Sequence, residues 1–210
     1  MKMSDIKSAK IDLKKIYLDP NNPRIGWGTE TQRPGYSDHE ALFSDENQKK
    51  TNEAMLNSDH RVEELAKTIV AKGWFPLDSI WVWCHPEVSD KYVVVEGNRR
   101  ITTLNYIINS MKPKALKNEA TAQRAKNLKK LQDAKAELDK INDVIANVAM
   151  LEVKLVVVKK PEELEHALTK LLSIRHINGA KEWIPLASDM WLYSQYKRIS
   201  LAVDAQNTPA

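Results

Sequence analysis

The run Tyr92-Val93-Val94-Val95-Glu96-Gly97-Asn98-Arg99-Arg100-Ile101 passes from a β-branched apolar stretch into a glycine, an amide and two arginines. Such a run predicts a buried strand that turns directly into a helix, with Gly97 supplying backbone freedom at the turn. A strand-to-helix junction of this kind is a ready anion site. The first amides of a helix have no intrahelical acceptor, the helix dipole favours negative charge there, and glycine lets the backbone approach a ligand closely. Arg99 and Arg100 add permanently charged, fork-shaped donors. The plainer reading is a helix start with two solvated arginines.

Charge and cysteine usage limit the functions available. The formal net charge is +4 and the pI is near 9.0, but 28 acidic residues accompany 32 basic ones. Nucleic acid is therefore permitted as a partner rather than demanded. A single cysteine, Cys84, excludes an intramolecular disulfide and a cysteine-rich metal site, which fits a reducing compartment. The stretch Met1 to Lys7 is charged and lacks an apolar run. No secretion signal and no membrane span are expected, and the cytoplasm is the expected location. With 42% hydrophobic residues in 210, the chain has the means to bury a substantial core.

Along the chain, Ala9 to Leu18 alternates around Ile11, Leu13 and Ile16 and predicts a first strand, closed by the turn residues Asp19-Pro20-Asn21-Asn22-Pro23-Arg24. Residues 25–59 are polar with no sustained period and predict a long, partly mobile insertion. Asp59 is placed to cap a helix carrying Val62, Leu65, Ala66, Ile69 and Val70 at helical spacing, which Gly73 ends. Two strands follow, Ser79 to Cys84 and Lys91 to Glu96. The Gly97 helix points Leu104, Ile107 and Ile108 inward, and Pro113 is expected to break it.

Beyond that proline, residues 114–147 are rich in alanine, lysine, leucine and glutamate, and Leu128, Leu131, Ala134, Leu138, Ile141, Ile145 and Val148 step by three and four. The pattern predicts a narrow apolar seam on a long, coiled-coil-like helical hairpin, suited to a protein partner or to homodimerisation. Its cations Lys112, Lys114, Lys117, Arg124, Lys126, Lys129 and Lys130 suit a phosphate backbone, although interspersed acids make a solvated face equally expected. Val153 to Val158 predicts a further strand. Pro161 opens a helix to about Ile174, and another runs from Leu186 to about Ile199. The expected organisation is a core in residues 1–112, a helical insertion in 113–149, completion of the core and C-terminal helices in 150–203, and a frayed tail in 204–210.

The order of these parts resembles the ParB/sulfiredoxin-like superfamily. The resemblance is carried by a strand ending in Asn22-Pro23-Arg24, the helix Val62-Glu63-Glu64-Leu65-Ala66 ending at Gly73, the strand after Pro76 and the segment Glu96-Gly97-Asn98-Arg99-Arg100. It covers roughly Ile11 to Ser110 and resumes over Val153 to Tyr193. It implies an α+β fold with a ParB-like core, and a nucleoside triphosphate, CTP or ATP, bound at the Gly97 to Arg100 loop with Mg²⁺. Two departures narrow the family's chemistry. Sulfiredoxins carry a cysteine inside this loop, whereas Asn98 and Arg99 stand here. Partition proteins carry a glutamate where Asn98 stands, and a later Glu-Asn…Arg segment where this chain reads Arg175-His176-Ile177-Asn178-Gly179-Ala180-Lys181-Glu182. The helix-turn-helix of partition proteins would begin about where the chain ends.

The candidate phosphate contacts are thus Gly97, Asn98, Arg99, Arg100, Arg24, Arg175, His176 and Lys181, with Glu96, His176 and Glu182 as the available acid–base or metal-binding groups. Glu96 at a strand end reads first as an ion-pair partner. Trp74, Trp81, Trp83 and Trp183 read first as core. Three functions fit: a nucleotide-binding protein in a regulatory or DNA-associated role with slow or absent nucleoside triphosphatase activity, a metal-dependent nuclease, and a non-enzymatic interaction protein.

Overall fold

A computed structural model describes residues 6–22, 25, 33–57, 60–75, 78–161, 163–164, 167–168 and 196. The described chain is a mixed α+β fold built on a five-stranded sheet. The strands are β1 (Ile6–Asp12), β2 (Ile16–Tyr17), β3 (Ile80–Cys84), β4 (Tyr92–Glu96) and β5 (Met150–Val156). Their spatial order is β1-β5-β3-β4-β2, with β1–β5 and β3–β4 antiparallel and β5–β3 and β4–β2 parallel.

The predicted first strand is two strands on opposite edges. The 3-10 turn Leu13–Lys15 separates β1 from β2. In a flat sheet, five strands place their outer members about 19 Å apart. The four Cα steps from Asp12 to Ile16 reach at most about 15 Å. The sheet therefore curls, and Leu13 N–H, which donates to Ala149 O at 3.0 Å, carries the β1–β5 ladder one step into the connecting turn.

The period-2 alternation of the strands divides the interior into two cores. Ile11, Ile16, Ile80, Val82, Val94, Leu151 and Val153 join Ala66 and Ile69, Ile101 and Leu104, and Ile141, Val144 and Val148 in the first. Those last residues come from helices α3 (Val62–Lys72), α4 (Asn98–Tyr106) and α6 (Leu128–Val148). The other face carries Trp83, Val93, Val95 and Val156, covered by Tyr36, Leu42, Phe43, Leu164 and Leu168. Trp83 is fully buried and its indole N–H donates to Val158 O at 3.0 Å, so this tryptophan is core.

Two expectations are corrected here. The stretch 25–59 contains α1 (His39–Leu42) and α2 (Asp45–Met55), and Tyr36, Leu42, Phe43 and Met55 are buried. Tyr36, Leu42 and Phe43 among polar neighbours join the second core. Pro113 does not end the Gly97 helix. A π-helical turn, Ile107–Met111, leads from α4 into α5 (Lys112–Arg124), with the proline in the first turn of α5. The wider turn accommodates the missing N–H and the ring. Asp59, expected to cap α3, lies outside the described residues, and the residue at that cap is Arg61 with φ +48°.

The 113–149 stretch is no detached arm. Ala115, Ile141, Val144 and Val148 belong to the first core. Ile141→Ala is expected to cost about 3 kcal/mol, within the usual range for such a truncation, as measured by urea unfolding. A change below 1 kcal/mol would show that α6 is separable. Removing 114–147 would accordingly open the core.

Candidate functional site

The junction from β4 to α4 has the predicted form. Gly97 is the N-cap of α4 at φ +113°, ψ +18°, a conformation glycine adopts readily and other residues rarely do. A Cβ at this position would stand 3.3 Å from Arg100 Nη2 and 3.3 Å from Ile80 Cγ1, so the site is closed to side chains by packing as well as by torsion. Just before it, the β3–β4 register shifts between Trp81 and Val82: Trp81 faces Glu96 while Val82 faces Val94. The bulge sharpens the local twist where the chain leaves the sheet.

The first turn of α4 holds no acid, and its N-cap is a glycine with no side chain to offer, yet it contains two arginines. Cations at this end oppose the helix dipole. The protein meets part of that cost with oxygen acceptors. Arg100 donates through Nη1 to Asp78 O and through Nη2 to Ser79 O at 3.3 Å, and Nη2 lies 3.8 Å from Glu96 Oε1. Glu96 thus occupies the ion-pair position expected of it. Arg99 donates through Nη2 to Arg61 O at 3.2 Å, which links the N-terminus of α4 to that of α3.

The Asn98 side chain turns away from the helix start toward the neighbouring strand end. Its side chain is buried, accepting from Asp19 N–H at 3.0 Å and donating to Asp19 O at 3.1 Å. Gln48 of α2 treats the preceding residue the same way, accepting from Leu18 N–H and donating to Leu18 O, both at 2.9 Å. Two side-chain amides therefore replace a neighbouring strand along Leu18-Asp19. The amide of Asn98 is spent as a clamp that fixes the start of the Asp19-to-Arg24 segment against the helix start.

Asp19 itself is a node that sequence reasoning passed over as a turn former. It is only 3% exposed; Oδ1 accepts from Asn21 N–H and Oδ2 from the Tyr36 hydroxyl, each at 2.9 Å. Burial pushes its carboxyl up to about 6, against the opposing pull of these donors and of Arg33. Behind Tyr36 lies His85, fully buried. Its Nδ1 accepts from Glu87 N–H at 3.2 Å, which assigns the proton to Nε2, donated to Tyr36 O at 3.1 Å. Burial holds this imidazole below its usual pKa.

The structure thus brings together Glu96, Gly97, Asn98, Arg99 and Arg100 with the Leu18-to-Asn22 strand end, and adds Asp19 and the Arg61 backbone. Arg24, Arg175, His176, Lys181, Glu182 and Trp183 lie outside the described residues, as do the helices expected to about Ile174 and from Leu186 to about Ile199. Among the described residues, no group of three or more His, Cys, Asp or Glu is arranged to hold a metal ion. No described helix is long and apolar enough to cross a membrane.

Comparison with protein-family models, with curated proteins and with solved structures finds no match in any of the three.

Proposed function

We propose that this is a ParB-like nucleotide-binding protein whose Gly97-to-Arg100 loop cradles the phosphates of a nucleoside triphosphate. The observation that carries the reading is the concentration of positive charge at the start of α4: a left-handed glycine cap, with Arg99 and Arg100 and no acid in the first turn. A polyphosphate relieves that accumulation by accepting from the amides and from guanidinium edges. Arg24, Arg175, His176 and Lys181 are the further contacts that the family resemblance implies.

In this reading the residues divide into holders and contacts. Asn98 and Gln48 hold the strand end, Arg100 and Glu96 brace the loop, and the α4 amides with Arg99 meet the ligand. The described carboxylates do not form a site for a resident divalent ion. Mg²⁺ would arrive on the phosphates, neutralising them as it does in other nucleotide sites. In this reading hydrolysis is slow or absent and the role is regulatory or DNA-associated.

Calorimetric titration of CTP, ATP and GTP, each with and without Mg²⁺, tests the proposal. Binding in the micromolar range by at least one nucleotide is the expected outcome. No heat at millimolar concentrations of any of them would overturn it. The nuclease and pure-interaction readings draw no comparable support from the described residues.

A further inference from the structure

The helical hairpin carries a charge pattern that the Gly97 site does not use. On α5, Lys114, Lys117 and Arg124 are exposed. At about 100° per residue they fall within roughly 80° of one another around the helix axis, turned roughly 130° from the buried Ala115 and Ala122. Three further exposed cations, Lys126, Lys129 and Lys130, follow at the turn and in the first turn of α6. No acid occurs between Glu119 and Asp133. Among the described residues none of these six cations is ion-paired.

The tip that presents them is a defined turn. Ala125 N–H donates to Thr121 O at 3.0 Å, Lys126 N–H to Gln123 O at 3.1 Å and Asn127 N–H to Ala122 O at 3.2 Å. Lys126 takes φ +52°, and the Asn127 side chain caps α6 by accepting from Lys130 N–H at 3.0 Å. Below the tip, Ala122 and Ala134 are buried. The base of the hairpin is anchored in the first core through Ala115, Ile141 and Val144. A rigid mount of this kind lowers the ordering cost of binding.

We infer that this strip, from Lys114 to Lys130, is a docking surface for the phosphate backbone of duplex nucleic acid, read without sequence preference. Charge complementarity selects a polyanion. The ten residue steps from Lys114 to Arg124 span about 15 Å of helix, the axial length of four to five base pairs, and long flexible cations are suited to backbone rather than base contact. A lipid surface is the poorer fit: of the large apolar side chains from Lys114 to Lys130 only Leu116, 46% exposed, and Leu128, 77% exposed, face out, and stable membrane attachment needs more apolar area than two leucines offer. The inference is independent of the nucleotide reading, because the strip and the Gly97 loop share no residue.

The test is fluorescence anisotropy of the full chain with a labelled mixed-sequence duplex of about 30 base pairs, across about 50 to 200 mM salt. The wild type is expected to bind with a steep salt dependence. Lys114→Glu, Lys117→Glu and Arg124→Glu together should weaken binding at least ~10-fold at about 100 mM salt and lower the salt slope by about 3. A charge-matched control, Lys67→Glu, Lys135→Glu and Lys140→Glu, should stay within about threefold of the wild type if position rather than net charge matters. Should the glutamate variant lose its native circular dichroism, the corresponding triple glutamine variant decides with a smaller loss in the same direction. Absence of duplex binding, equal losses in strip and control variants, or tighter binding to phosphatidylserine vesicles than to duplex would each overturn the inference.

Discussion

Asp19→Asn is expected to raise the stability of the protein at pH 7.5 and to leave it almost unchanged at pH 4. Asp19 is buried, and its carboxyl is pushed up from 3.8 to about 6. Between those values the folded state binds more protons than the unfolded one, so the contribution of Asp19 to stability falls as pH rises through roughly 4 to 6 and is level above. A shift of about two units corresponds to ~3 kcal/mol as an upper figure, or a rise in melting temperature on the order of 8 °C for a chain of this size. Asparagine removes the cost, because its carbonyl can accept from Asn21 N–H while its amide donates to the Tyr36 oxygen. His85 contributes in the opposite sense: its lowered pKa gives stability that is lost on acidification. The difference between variant and wild type isolates Asp19. Thermal melts of both proteins between pH 4 and 8 check this; profiles that run parallel would contradict it.

The second large effect is expected at the clamp. Asn98→Ala leaves the N–H and C=O of Asp19 buried without their side-chain partner. At about 1–3 kcal/mol for each unsatisfied group, the loss should reach roughly 3–5 kcal/mol in urea unfolding. Gln48→Ala exposes the same weakness one residue earlier, at a partly buried position where water can substitute. It should cost roughly half as much. The two sites act on adjacent residues of one strand end, so the double variant should lose less than the sum of the singles by about 1 kcal/mol. Strict additivity, or a loss below 1 kcal/mol for Asn98→Ala, would show that Leu18-Asp19 is held by other means.

The parts of the fold that were legible in the sequence are those where local pattern and tertiary role coincide. The spacing of Val62, Ala66 and Ile69 with Gly73 at φ +86° marks α3, and the step from Val95 to Gly97 and Arg99 marks the β4–α4 junction. Ile11, Leu13 and Ile16 misled because they keep apolar spacing through a 3-10 turn; nothing local reveals that the turn carries the chain between opposite sheet edges. The polar stretch hid Tyr36, Leu42, Phe43 and Met55 because isolated anchors make no period. Pro113 read as a stop because the π turn that absorbs it has no composition of its own.

The site was legible in outline only. Gly97, Arg99 and Arg100 follow from the chemistry of a helix start. The roles of Asn98 and Asp19 do not, since they depend on a contact spanning 79 residues of sequence. An amide at a helix start reads as a ligand contact, and nothing local shows that its side chain clamps Asp19. Asp19 is the turn residue it looked like, with Asn22 N–H donating to its O at 3.2 Å; its burial against Tyr36 is what the local sequence does not show.

The central claim is that the first amides of α4 receive phosphate. An amide-resolved NMR titration of the full chain with CTP and ATP in the presence of Mg²⁺ tests it most directly. The account predicts that the largest shifts fall on the amides of Gly97, Asn98, Arg99 and Arg100 and saturate with nucleotide. Silence of these four amides at millimolar nucleotide, or saturable shifts confined to residues elsewhere, would contradict it.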